Sequence, residues 1–348
     1  MKIGILTYHH VMNYGAMLQA YALSRYLRDC GHSVETIDYR PTKAIEAYRK
    51  AFFENNPYER EHRVRQERFD DFLRREIPLS PRPFETREGF DELRGRYACT
   101  ITGSDEVWNI NSFRGYDPSY FLDFAEGGRR VAYAATFGFT ATTGAHRGEI
   151  TRLLSAFSAL GVRDEHTMRI LRDECGLSSV KTVDPTLLLD SYERVAVPPP
   201  ESGYVLVYAN CSEAEAEYVR RFAERVRKPV VAIAYPLAGA INKMELSPAE
   251  WIGYYAAADY IFNGFFHGII FSLIYRKPFT AFLSSSKAMK MGDLLSDIGL
   301  SSRLVKIGST SDPLPDPELD YSESEPRLAR ARDESRAFLR TALATSPS

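Results

Sequence analysis

Apolar runs too short for helices alternate with stretches whose apolar residues recur at helical spacing, through most of the chain. Residues 2–7 (KIGILT) are aliphatic and β-branched, the pattern of a strand buried on both faces in a parallel sheet. Ala16, Ala20, Leu23 and Leu27 then mark one helix face within 14–30, and Gly31 stands where a C-capping glycine belongs. Residues 33–38 (SVETID) read as the next strand. Strand, helix, glycine and strand make a βαβ unit, and its crossover demands parallel strands. Residues 97–102 (YACTIT) and 130–135 (RVAYAA) extend the sheet, 146–160 predict a helix and 181–183 a short strand. Residues 41 to about 79 are highly charged and fit two helices or an excursion over the surface.

Pro198, Pro199 and Pro200 form a stiff spacer that no helix or strand interior tolerates, and the alternation restarts beyond it. Residues 204–208, 230–234, 259–262 and 279–283 read as strands, with helices over 213–227, 248–258, 268–275 and 290–298. Ser247-Pro248 supplies an N-cap and a first-turn proline. An acidic, proline-bearing linker leads to a charged helix over 325–343. The predicted fold class is therefore α/β, two Rossmann-like domains that bind ligands at the carboxyl ends of their strands. The expected division is 1–195, 196–310, and a linker plus C-terminal helix over 311–348.

A length of 348 residues suits two domains better than one core. With 44% hydrophobic and 26% charged residues, the composition is that of an ordinary globular protein. Forty-four basic residues against 46 acidic ones argue against a nucleic-acid binder, while leaving room for a local basic pocket. Cys30, Cys99, Cys175 and Cys211 include no C-x-x-C pair, so buried reduced thiols are expected rather than zinc or disulfides. The N-terminus lacks a signal-peptide pattern, and no apolar stretch approaches the roughly 20 residues of a membrane span. The expected location is the cytoplasm.

Four segments carry candidate chemistry. Asn13-Tyr14-Gly15-Ala16 with Gln19 opens the first helix, where a glycine and free N–H groups admit an anion or hydroxyl; an ordinary tight turn explains them equally well. Ser104, Asp105, Trp108 and Asn109 follow a strand, a set suited to a sugar: Trp108 to stack on the ring, Asp105 and Asn109 to bind hydroxyls. The plainer reading there is a helix cap beside a core tryptophan. Arg163, at the end of a later strand, suits a carboxylate or phosphate, although a local pair with Asp164 or Glu165 is simpler. Phe266, His267 and Gly268 lie where a strand meets an apolar helix, so His267 sits beside a helix N-terminus that attracts anions. Lys287, after Ser284, Ser285 and Ser286, ends the next strand, where a solvated loop lysine is the bland alternative. There is no G-x-S-x-G, H-E-x-x-H or P-loop, and His9-His10 lacks the neighbours of a metal site.

Taken in order, NYGAMLQAYAL (13–23), GSDEVWN (103–109), YAATFG (133–138), VRDE (162–165), DPTLLL (184–189) and FFHGIIFSLIYRKPF (265–279) resemble the polysaccharide pyruvyl transferases. The resemblance spans residues 1 to about 300. It implies a bacterial enzyme of GT-B-like architecture, two domains facing a cleft, with the last helix bracing the first domain. It also implies transfer of the enolpyruvyl unit of phosphoenolpyruvate to a sugar, commonly closing a ketal across two hydroxyls. On that basis His267 is the acid/base, and Arg163 and Lys287 clamp the donor. Ser104, Asp105, Trp108 and Asn109 hold the sugar, facing Asn13, Tyr14, Gly15 and Gln19. Neither a metal nor a cofactor is required. The sugar acceptor is lipid- or nucleotide-linked in the fuller expectation, and the charged 42–79 region and the terminal helix admit a peripheral contact with membrane-bound polysaccharide machinery, with a solvated helical surface as the plainer reading. A nucleotide-sugar glycosyltransferase and a non-catalytic sugar-binding relative are the alternatives. The chain departs from the family's usual T-D-S-F-H-G run in reading Asn263-Gly264-Phe265-Phe266-His267-Gly268, and in Glu106, where glutamine is common.

Overall fold

The apolar runs pair into two parallel sheets. The computed structural model describes residues 1–283 and 288–344. It divides into two units, one of Met1–Pro57, Leu73–Leu189 and the chain from Arg330 onward, the other of Tyr58–Phe72 with Asp190–Ala329.

The first unit holds β1 (Lys2–Leu6), β2 (Ser33–Thr36), β3 (Cys99–Asp105), β4 (Arg129–Ala135), β5 (Ala159–Val162) and β6 (Val180–Lys181). All neighbours are parallel, in the order β2-β1-β3-β4-β5-β6. The order reverses at β1, which lies between β2 and β3. The loops after β1 and β3 therefore leave the carboxyl edge side by side, the crevice where open α/β sheets bind ligands. Its helices are α1 (Tyr14–Asp29), α2 (Thr42–Phe53), the end of α3 (Glu59–Glu76), α4 (Arg147–Leu154) and α5 (Glu165–Cys175). α1 is buried without a break from Tyr14 to Ser24, so its first turns are core rather than surface.

The second unit holds β7 (Val205–Tyr208), β8 (Val230–Ile233), β9 (Ile241–Lys243), β10 (Tyr260–Asn263), β11 (Phe279–Phe282) and β12 (Leu304–Val305). The order β12-β11-β10-β7-β8-β9 is that of the Rossmann sheet, with its reversal between β7 and β10. Its helices are α6 (Glu213–Val226), α7 (Pro248–Ala257), α8 (Phe266–Ile274) and α9 (Ala288–Asp297). Reciprocal capping boxes, Ser212 with Glu215 and Ser247 with Glu250, start α6 and α7. α10 (Ser324–Ala344) begins in this unit, and from Arg330 onward belongs to the first. There Leu339, Ala342 and Leu343 join the apolar cluster of Ile3, Ile5, Val131 and Tyr133, while the Ser335 hydroxyl accepts from the Val183 amide at 2.9 Å.

Several expectations need correction. The helix predicted over 146–160 stops at Leu154, because the apolar run beyond it pairs with β4 as β5. Short runs of this kind have no period long enough to separate strand from helix. The edge strands β9 and β12 carry too little apolar sequence to be foreseen. Within the charged excursion, α3 buries Phe69, Phe72, His62 and Arg65. Cys30 is exposed rather than buried. Among the described residues no helix is long and apolar enough to cross a membrane.

Candidate active site

Polar contacts join all five motif segments of the first unit at the carboxyl edge of its sheet. Asn13 caps α1, its Oδ1 accepting from the Ala16 amide at 3.1 Å. Gln19 Nε2 donates to Thr7 Oγ1 and to the Tyr8 carbonyl, each at 2.9 Å. Thr7 Oγ1 in turn donates to the Ser104 carbonyl at 3.1 Å, joining the loop after β1 to β3. Ser104 Oγ donates to Asp184 Oδ2 at 3.2 Å, and Arg163 Nη1 reaches the same oxygen at 3.0 Å. Asp184 Oδ1 accepts from the Thr186 amide and hydroxyl at 3.0 and 2.7 Å, opening the DPTLLL turn. Asp164 caps α5 through the Thr167 amide at 2.8 Å, and Thr167 Oγ1 bonds to Thr136 Oγ1 and the Phe137 amide.

The network changes the reading of several residues. Arg163 pairs with Asp184, not with Asp164 or Glu165 of its own segment, and their side chains are 4% and 0% exposed. Burial works against the guanidinium charge, but Asp184 outweighs it and holds Arg163 protonated. Trp108 cannot stack on a sugar: it is fully buried, lies parallel to Phe121, and its Nε1 donates to the Tyr120 carbonyl at 2.9 Å. Asn109 is likewise spent internally, Nδ2 on Glu106 Oε2 at 2.8 Å and Oδ1 accepting from Thr140 Oγ1 at 3.0 Å. Glu106 supplies an acceptor there that a glutamine also carries. Tyr14, Gly15, Gln19 and Ser104 are buried as well, whereas Asn13 is exposed.

Asp105 remains half-buried at the end of β3, with φ of +72° and Oδ1 accepting from the Glu106 amide at 2.8 Å. Ala134 on the next strand has φ of +52°, and a Cβ at Gly103 would meet the Tyr133 carbonyl oxygen at 1.9 Å. Two non-glycine residues of positive φ thus lie on adjacent strands at this edge, and strain of this kind is often stored at functional sites.

Residues set aside in the sequence lie here too. His9 is fully buried, bonded through Nδ1 to the Thr7 carbonyl (3.0 Å) and through Nε2 to Asp38 Oδ1 (2.9 Å). Burial raises the Asp38 pKa, but hydrogen bonds from His9 and Arg40 override it and lower it to about 2. Neither ring nitrogen of His10 has a hydrogen-bond partner, although both are shut off from solvent. Burial, then His9, Arg40 and Arg114, keep that imidazole neutral.

In the second unit His267 is the second residue of α8 and packs edge-on against Phe266, centroids 5.4 Å apart. Gly268 is required by packing: a Cβ would lie 2.3 Å from Asn263 Oδ1 and 2.7 Å from the Tyr255 hydroxyl. Phe266 is buried, with the Lys290 ammonium 5.9 Å from its ring centre. Phe265 occupies the N-cap of α8, where it makes no side-chain hydrogen bond, and its ring stacks on Tyr235 and leans on Tyr208. Lys287 lies outside the described residues.

The sequence model of the polysaccharide pyruvyl transferases matches residues 13–286, which takes in every motif segment and His267. The chain belongs to this family. The small hydroxyl residue missing from its family run falls on the α8 N-cap, so Phe265 exchanges a capping group for an aromatic stack. No curated protein matches the chain. Among solved structures it is similar to a glycosyltransferase of Streptomyces sp. SF2575, at 13% identity and TM-score 0.47, covering 97% of this chain and 96% of that one. The E. coli ADP-heptose lipopolysaccharide heptosyltransferase II gives 13% and 0.38 over 99% and 100% of the two chains. The UDP-GlcNAc 2-epimerase of Methanocaldococcus jannaschii gives 12% and 0.45 over 96% and 92%.

Proposed function

We propose that this transferase moves the enolpyruvyl unit of phosphoenolpyruvate onto a sugar of a cell-surface polysaccharide or its precursor, closing a pyruvate ketal. The observation that carries the reading is the place of His267, inside the family match and in the first turn of α8, where the second sheet reverses its strand order. Ligands of Rossmann sheets bind at that reversal. In this reaction a sugar hydroxyl adds to C2 of the donor while the methylene carbon takes a proton. A second hydroxyl then bonds to C2 and inorganic phosphate leaves.

His267 is the group that relays those protons, since an imidazole serves as acid and base near neutral pH. The start of α8, uncapped by any side chain, offers N–H donors to the donor's anionic groups, and the family resemblance assigns Lys287 to the same donor. The first unit's edge, with Asp105, takes the sugar. No cofactor beyond the donor enters this scheme, and the setting is the cytoplasm, where phosphoenolpyruvate is available.

Thermal shift and calorimetric titration with phosphoenolpyruvate test the reading in the wild type and Lys287→Ala. Stabilisation of the wild type, weakened in the variant, is the expected result. A shift with UDP-glucose and none with phosphoenolpyruvate would overturn it.

A further inference from the structure

The sugar-stacking role that Trp108 cannot fill is open to another aromatic of the same loop. Phe113 is 47% exposed, among the few large hydrophobic side chains left in solvent. Its ring packs 4.5 Å from the Arg114 guanidinium, which also lies 4.0 Å from the ring centre of Tyr8 and donates to the Tyr48 hydroxyl at 2.6 Å. Tyr48 meets Phe113 edge-on at 5.9 Å. Arg114 is half-buried and makes no ion pair among the described residues; its Nη2 is taken by Tyr48. Two residues along the chain from Tyr8 stands His10, buried at both ring nitrogens and bonded at neither. Buried polar groups without partners are rare in folded proteins, and a bound ligand is one explanation for them.

We propose that Phe113, Arg114 and His10 form the acceptor subsite of the first unit, taking the pyranose ring of the sugar. This rests on the pyruvyl-transfer reading. The C–H face of the ring lies on Phe113, and its hydroxyls accept from Arg114. A neutral imidazole carries one donor and one acceptor, which suits a pair of adjacent hydroxyls, one accepting and one donating. Arg40 is already held by both oxygens of Asp38, at 2.6 and 3.1 Å, and the Asp105 carboxylate acts on Arg114.

The test follows the histidine ring nitrogens by NMR in 15N-histidine protein while methyl glycosides of galactose, glucose and N-acetylmannosamine are added. His10→Leu assigns the resonance. The expected result is a shift of the His10 signals with at least one glycoside, and an apparent affinity about tenfold weaker in Phe113→Ala, recovered in Phe113→Trp. Phe113 is exposed, so its replacement leaves the fold intact. Phosphoenolpyruvate binding is measured alongside. Retained donor binding with His10 silent to every glycoside would overturn this subsite alone, as would a His10 already bonded to ordered water and indifferent to sugar. A His10 response to inorganic phosphate rather than to glycosides would also overturn it. Glycoside binding that depends on Phe113, without any donor binding, would support the subsite and sink the pyruvyl reading instead.

Discussion

Replacing Asp184 by alanine removes the hub through which three motif segments meet. Its carboxylate receives Arg163 at 3.0 Å, Ser104 at 3.2 Å and both polar groups of Thr186, at 3.0 and 2.7 Å. The side chains of the ion pair are 4% and 0% exposed, so water cannot take the place of the lost partner. Breaking a buried pair by deleting one member costs about 3–5 kcal/mol, because the remaining charge is stranded. Losing the turn cap at Thr186 adds about 1 kcal/mol. These terms share one side chain and do not simply add, so the expected loss is about 4 kcal/mol, or roughly 8–16 °C in Tm for a unit of this size. Urea unfolding followed by far-UV circular dichroism measures it, with Arg163→Met and the double variant completing a cycle. Because Arg163→Met strands Asp184 in turn, the double variant should be more stable than either single one. A loss below about 1 kcal/mol in Asp184→Ala, or additive single effects, would refute the claim that Arg163 is held by a buried pair.

Trp108→Ala should cost about 3–5 kcal/mol in denaturant unfolding, as expected of a buried core aromatic, while leaving phosphoenolpyruvate binding unchanged. Asp38 has its pKa lowered from 3.8 to about 2, so its contribution is present above pH 4 and is lost as pH falls towards 2. Acid titration should show a loss of about 1–2 kcal/mol across that window, absent in Asp38→Asn. Phe265→Ser and Phe265→Ala both lose the stack on Tyr235, but serine restores a cap to α8; the serine variant should be the more stable by about 1 kcal/mol in thermal melts. Gly268→Ala should destabilise by about 1–3 kcal/mol, since the new methyl meets Asn263 and Tyr255 inside van der Waals distance.

The sequence alone determined the class of fold, because burial on both faces makes a parallel strand a continuous apolar run, and residues 2–7 and 204–208 show it plainly. It also determined the family, since six motif segments kept their order, and it placed His267 at a helix start, because a strand, a glycine and an apolar helix are local signals. What each polar residue does was decided only by tertiary structure. Arg163 had acidic neighbours in sequence, yet its partner is Asp184, 21 residues on and beyond α5 and β6, because β5 and the turn after β6 end side by side. Trp108 and Asn109 had the right chemistry for a sugar, and the fold turned both inward. For the acceptor subsite proposed above the sequence offered little: His10 was half of a histidine pair set aside as a metal site, and Phe113 a loop phenylalanine. Burial and hydrogen bonding depend on what long-range packing brings alongside, and one chain's local pattern does not encode that.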